Sequence, residues 1–441
     1  MKFLKITLFL IAVAILGWWL FTPRSESLPE GVVQISFGSF GSPQQVDVYR
    51  EIIRRFEEEN PNIRVDLRTP SSGAYFQKLK TEMAARIAPD VTWVDVSAFY
   101  SFADKNVFRP LEEFARNDPE FHREDYFEGI IQAFTHEGEL YALPKSCGSM
   151  VLFYNQDHFD EADIPYPDET WTWDRLVEEC AKLTRDTDGD GRVDRYALAP
   201  LDLLDLLAQY EVPILSPNRD ECVLDSPEAF RVCKFLRDLT FEARLIPSAA
   251  QIGGFGVSSG AATGGGRGGA SIGIFDLFTL EKVSMIVTDL VLSLVYEKAP
   301  FRWDIAPQPA GSVRGGFLNG AGYAMNARTD HPKEAWELIK FLAGPEVQKL
   351  RAKGGDSLPS MTRIAESDLF LKNPKPPASR SATLSQLKVA IPPPKHERWP
   401  RVLLEIGSMT QNFMSTEDPE PIDAALAETT HIIDRVLEGK E

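Results

Sequence analysis

The sequence predicts a two-lobed α/β protein, and three observations carry that reading. At 441 residues the chain exceeds what one hydrophobic core organises, so two domains are expected. Short apolar segments of period two alternate with longer stretches of helical period, the pattern of a largely parallel sheet. The stretch Leu140 to Lys182 joins the two kinds of segment at Pro144, as a passage between domains would. It runs from Leu140-Tyr141-Ala142-Leu143 through a strand-like run, Met150 to Tyr154. A helix follows from Thr170 to Asp174 onward, with Leu176, Val177, Cys180 and Leu183 at helical spacing.

At the start of the chain, Lys2 and Lys5 precede an apolar run from Ile6 to Phe21. A basic segment before an apolar one reads as an export signal. Gly17 to Pro23 offers no small-x-small cleavage site, and no Cys follows for lipid attachment. A cleaved signal and a retained anchor both stay open, with Trp18 and Trp19 where an interfacial belt would sit. Residues 1–29 are therefore set apart as signal peptide or N-terminal membrane anchor plus linker. The expected location is the periplasm or the outer face of the cytoplasmic membrane.

Val32 to Phe37 alternates as a strand, Gly38 to Pro43 turns, and Gln44 to Asn60 is helical until Asn60-Pro61 stops it. Ile63 to Leu67 alternates again. In such a unit ligands sit beyond the carboxyl ends of the strands, here at Ser39 to Ser42. Tyr75 to Ala88 is the next helix and Pro89 to Asp95 the next strand. Leu201 to Tyr210 and Pro227 to Arg244 are helical. Gln251 to Ser271 is Gly-rich and reads as a flexible insertion near the cleft. It lacks the GxxxxGK[ST] spacing of a phosphate cradle.

TRDTDGDGRVDRY, from Thr184 to Tyr196, sets Asp186, Asp188, Asp190 and Asp194 at positions 1, 3, 5 and 9 of a calcium loop, with Gly191 at position 6. Ala197 stands where such a loop needs its bidentate Glu. A structural calcium and a plain solvated Asp-Gly turn are both compatible with this pattern. No other cofactor is indicated. Cys222 and Cys233 are close enough to close a short loop, and free buried thiols are the alternative for all four cysteines. Without a CxxC pair, zinc is not expected.

A net charge of −18 argues against a nucleic-acid partner, whose phosphates would be repelled. Neither GxSxG nor HExxH occurs, and no carboxylate pair is singled out for hydrolysis, so no enzyme is expected.

Several ordered segments resemble the extracellular solute-binding proteins of ABC importers, of the maltose-binding-protein-like, sugar type. They are LYALP with LFYNQDHFDEADI (Leu140 to Ile164), YFQKLKTEMAARIAPDVTWVD (Tyr75 to Asp95), NVFRPLEEF (Asn106 to Phe114), FRWDIAPQP (Phe301 to Pro309), GGFLNGAGYAM (Gly315 to Met325) and HPKEAWELIKFLAGPEVQKL (His331 to Leu350). The likeness runs from Val32 to Leu437 and is weakest at Leu201 to Ser271. It implies a type II periplasmic-binding-protein-like fold with discontinuous lobes: 30–143 with 308–343, and 144–307 with 344–441. The hinge crossings would fall at Pro144, Pro307 and Gly344.

The resemblance also implies the function. Two closing lobes would capture a sugar or oligosaccharide and deliver it to an ABC importer permease. A non-sugar solute (a polyol phosphate or polyamine) and a membrane-tethered ligand sensor are the alternatives. The matched segments place Phe40, Asp95, Ser97, Ser146, Cys147, Asp289, Asn319, Tyr323 and Trp399 at the cleft. Leu290 to Leu292 is aliphatic where the family carries an aromatic, which keeps the non-sugar alternative open. Trp93 and Trp303 lie in apolar runs and are assigned to the core.

Overall fold

The computed structural model describes residues 29–440, except 42, 71–74, 256, 258–270, 290–294, 296, 297, 356 and 417. The N-terminal apolar run, Leu290 to Leu292 and most of the Gly-rich segment thus lie outside the described residues. Among the described residues no helix is long and apolar enough to cross a membrane.

The chain forms β1 (Val33–Gly38), β2 (Ile63–Arg68), β3 (Val91–Asp95), β4 (Phe108–Arg109), a small hairpin of β5 (Thr135–His136) and β6 (Glu139–Leu140), and β7 (Ala142–Gly148). It continues through β8 (Val151–Asn155), β9 (Tyr196–Leu198), β10 (Val283–Thr288), β11 (Trp303–Ala306) and β12 (Asn319–Asn326). The first sheet has the order β2-β1-β3-β12-β4, with β7 also on β12. β1 runs parallel to β2 and β3, while β12 is antiparallel to its neighbours. The second sheet has the order β11-β8-β10-β9.

The two sheets are buried in separate cores. Ile35 and Phe37 on β1 are buried beneath the Pro43–Glu59 helix, which contributes Tyr49, Ile52, Ile53 and Phe56 at helical spacing. In the second lobe, Leu152 and Tyr154 on β8 face one core, and Val151 and Phe153 face another. This is the alternation of a strand covered on both sides.

The crossings differ from those expected. Pro144 does not end its strand: β7 runs on to Gly148, and the register on β12 shifts between Ala321 and Gly322. A proline cannot donate to the ladder, so the strand bulges there instead of stopping. The chain leaves the first sheet at Ser149-Met150. Residues beyond Pro307 stay with the second lobe, where Phe317 is buried, and β12 begins the return at Asn319. Gly344 breaks a helix without a change of lobe. The next helix, Pro345–Gly354, buries Val347 and Ala352 in the first core, followed by Leu358, Met361, Ile364 and Phe370. The last crossing therefore falls between Phe370 and Trp399, around the Ser381–Leu387 helix.

A buried polar network meets all three connections. Gln308 Nε2 donates to Met150 O at 2.9 Å and to Asp205 Oδ2 at 2.8 Å. Asp205 Oδ1 accepts from Phe317 N at 2.9 Å. Gln386 Oε1 accepts from Gln308 N at 3.0 Å, and its Nε2 donates to Gly315 O at 2.7 Å. Gln209 Nε2 donates to Gln308 Oε1 at 2.9 Å. Each of these side chains is buried, so each is costly to leave unpaired. The hinge is thereby held by directional bonds as well as by packing.

All four cysteines are free and buried, so the Cys222–Cys233 pairing does not form. Cys222 Sγ contacts Thr430 Oγ1 at 3.8 Å, and Cys233 packs in the second-lobe core on the Pro227–Phe241 helix.

Candidate functional site

A cavity of about 260 Å³ lies between the lobes, beyond the carboxyl ends of β1 and β3. Strand periodicity builds its floor. Trp93 and Asp95 stand two apart on β3 and share a face. Asp95 pairs with Ala321 on β12, and Ala321 in turn pairs with Ser146 on β7. Asn319 lies two residues before Ala321, on that same face. Its Nδ2 donates to Asp289 Oδ1 at 2.5 Å. Asp289 directly follows β10 of the other lobe, so this bond spans the cleft.

One wall is aromatic. Phe40 lies 4.7 Å from Trp93, ring to ring and nearly perpendicular, and 5.0 Å from Tyr75. Tyr75 Oη donates to Trp93 O at 2.7 Å and also reaches Gly38 O at 3.1 Å, which fixes the wall to the strand ends. Phe40 and Trp93 are only half-buried, leaving apolar ring surface towards the cavity.

Polar groups stand beside this wall. Asp95 caps the Val96–Ala103 helix: its Oδ1 accepts from Ala98 N at 2.7 Å and from Ser97 Oγ at 2.7 Å. Burial pushes its carboxyl up, the hydrogen bonds from Ser97 and Ala98 oppose that, and the nearby Asp289 charge adds to the rise. Gln45, Lys145, Ser149, Ser357 and Thr383 add to the polar lining. The set offers donors and acceptors around a ring-sized apolar face.

The structure thus brings Phe40, Asp95, Ser97, Ser146, Cys147, Asp289 and Asn319 to one cavity. Two of the nine expected residues lie elsewhere, and a third turns away. Tyr323 is buried against Phe37, and its hydroxyl accepts from Arg351 Nη2 at 3.0 Å. Trp399 opens the Trp399–Phe413 helix inside the second-lobe core, beside Phe317. Cys147 borders the cavity, but its Sγ points into the first core, 3.5 Å from Pro359 O. Period two explains this: Ser146 and Cys147 are adjacent, so only one of them shares the Asp95 face. Burial also pushes the Cys147 thiol up, which keeps it protonated.

Trp93, which the sequence assigns to the core, is half-buried: it packs against the first core and also lines the cavity. Its offset of two from Asp95 was the signal that could have found it.

In the acidic loop, Asp186, Asp188 and Asp194 hold carboxylate oxygens within 4.8 Å of one another, and Asp190 is not among them. Asp186 accepts from Gly189 N and Gly191 N, Asp190 from Arg192 N, and Asp194 from Thr187 N and Oγ1. These bonds make the turn by themselves. The three grouped carboxylates also fit a hard cation in donor type.

Two lobes on discontinuous segments, with an aromatic and polar cavity between them, define a solute receptor. Residues 51–378 match the model of the bacterial extracellular solute-binding protein family, and the chain belongs to that family. It is 22% identical over 341 residues to the arabinooligosaccharide-binding protein of Bacillus subtilis, covering 73% of this chain and 72% of that one. A galactooligosaccharide-binding protein of the same organism is 22% identical over 398 residues, 86% of this chain and 85% of its own length. An ABC substrate-binding protein of Listeria monocytogenes, solved in complex with cycloalternan, has a similar fold. Its TM-score is 0.80 at 22% identity, covering 92% of this chain and 99% of that one.

Proposed function

We propose that the protein is an extracytoplasmic receptor that captures a sugar or oligosaccharide between its lobes and passes it to an ABC importer permease. The observation that carries this is the Phe40–Trp93 wall in one cavity with Asp95 and the Asn319–Asp289 bond. Sugar rings have weakly apolar CH faces and a rim of hydroxyls, so they need such a pairing. The named sugar ligands of the relatives support the same reading. Binding, not turnover, is the task, and the cavity needs no nucleophile for it. An uncleaved N-terminal segment would hold the receptor at the membrane; mass analysis of the mature protein tests that.

A thermal-shift screen against mono- and oligosaccharides, polyols, polyol phosphates and polyamines tests the main reading. A ligand at 100 times its dissociation constant adds about 2.7 kcal/mol of stability. The expected result is a rise in melting temperature with at least one carbohydrate. A rise with polyamines alone would favour the two carboxylates as an amine site and overturn the sugar reading.

Calcium at Asp186, Asp188 and Asp194 is a separate proposal, supported by the convergence of the three carboxylates and independent of the cleft.

A further inference from the structure

A second chamber of about 440 Å³ adjoins the first, and Asp95 and Ser97 line both. It too lies between the lobes. Phe76 and Phe102 face it from the first lobe, and Leu203, Leu204, Leu403 and Leu404 from the second. Leu404 stands 62% exposed on the Trp399–Phe413 helix.

The wall is more apolar than its residue types suggest. Ser101 Oγ donates to Ala98 O at 2.7 Å, Ser408 Oγ to Leu404 O at 3.1 Å, and Thr410 Oγ1 to Ile406 O at 2.8 Å. Their donors are spent on their own helices. Asp202 Oδ1 accepts from Leu204 N at 2.9 Å and so serves as a helix cap. Lys80 and Gln411, both exposed, also line the chamber. A sugar ring placed among the Phe and Leu side chains would exchange hydroxyl hydration for few hydrogen bonds, at a net loss. An alkyl or aryl group would lose nothing of the kind. Gly407 adds to the open space. It sits mid-helix, where glycine is unfavourable, lines the chamber, and a Cβ built on it meets nothing within 4 Å.

Resting on the sugar reading of the first chamber, we infer that the ligand is a glycoside with an apolar substituent. The sugar lies against Trp93 and Asp95, and the apolar group fills the second chamber past Ser97. Because both lobes wall that chamber, filling it favours the closed form.

The test is calorimetric titration of the full chain with matched methyl and octyl β-glycosides of glucose, galactose, mannose and arabinose, all below micellar concentration. For the sugar that binds as its methyl glycoside, the octyl form is expected to bind at least about 30-fold tighter, since each buried methylene is worth severalfold in affinity. Gly407→Phe plugs the chamber, and Leu404→Asp charges its mouth without disturbing a core. Both should remove most of the gain and leave the methyl glycoside unchanged. Equal binding of the two forms, or a gain that survives both variants, overturns the inference. So does a trisaccharide whose advantage over the monosaccharide disappears in Gly407→Phe, because the chamber would then hold sugar. If no methyl glycoside and no oligosaccharide binds, it is the sugar reading that fails.

Discussion

In the first lobe the cleft residues stand on strand ends: Trp93 and Asp95 on β3, Ser146 on β7, Asn319 on β12. Across the cleft they stand off the sheet: Asp289 just past β10 of the second lobe, Thr383 on the Ser381–Leu387 helix at the last crossing, and a hinge network behind them. The first lobe therefore presents a fixed platform, set by sheet register. The second presents groups whose position depends on the hinge. The difference assigns affinity chiefly to the first lobe and closure to the second, and each substitution below sharpens or breaks that division.

Trp399 and Trp93 give the largest contrast. Trp399→Ala is expected to cost about 3–5 kcal/mol of stability, because its ring fills the second-lobe core. Chemical denaturation measures it, and a loss under 1 kcal/mol would mean that the ring is not core. Asp205→Ala should cost about 2–3 kcal/mol, since it strands one of the two Gln308 Nε2 hydrogens and Phe317 N in a buried site. Binding should weaken with it as the hinge loosens. Trp93→Ala is expected to do the reverse, lowering sugar affinity by about 2 kcal/mol, roughly 30-fold, with a smaller change in melting temperature. Equal affinity in Trp93→Ala would remove the aromatic wall from the account.

Asp95 supplies a pH test. Burial raises its carboxyl above the unfolded value, so the folded protein binds the extra proton. Stability from this group is fully present below the unfolded value and is lost as pH rises through the folded one. Asp95→Asn keeps the helix cap. It should melt higher than the parent at pH 7, with the gap closing towards pH 4, while binding its sugar more weakly. A lower melting temperature at pH 7 would refute the desolvated carboxylate. The smallest effect concerns the acidic loop: calcium at ten times its dissociation constant adds about 1.4 kcal/mol if it binds. Asp186→Asn should abolish that shift, and no shift in the parent removes the calcium proposal.

The alternating units from Val33 to Asp95 were legible because each strand buries one clear apolar set. The crossings were not. Pro144 signals a strand end locally, yet ladder bonds from β12 on both sides of the bulge carry β7 past it. Gly344 stops a helix, but whether the chain then changes lobe depends on where Val347 and Ala352 find a core, which is a tertiary fact. The same holds for the site. Asp95 and Asn319 could be placed from the matched segments, whereas Trp93 in an apolar run looked like core. Tyr323 shares the floor strand, but Arg351 and Phe37 close over it. Trp399 illustrates the converse, an aromatic that packing claims before any ligand can.

The central claim is that a sugar closes the lobes on the Trp93–Asp95 platform. An interlobe distance measured by paired spin labels at Arg116→Cys and Arg231→Cys, both on exposed side chains of opposite lobes, tests it most directly. With the carbohydrate found by the thermal screen at saturation, the distance distribution should narrow and change by several ångströms, and Trp93→Ala should need a higher concentration to reach the same end point. An unchanged distribution at saturating sugar would contradict the account.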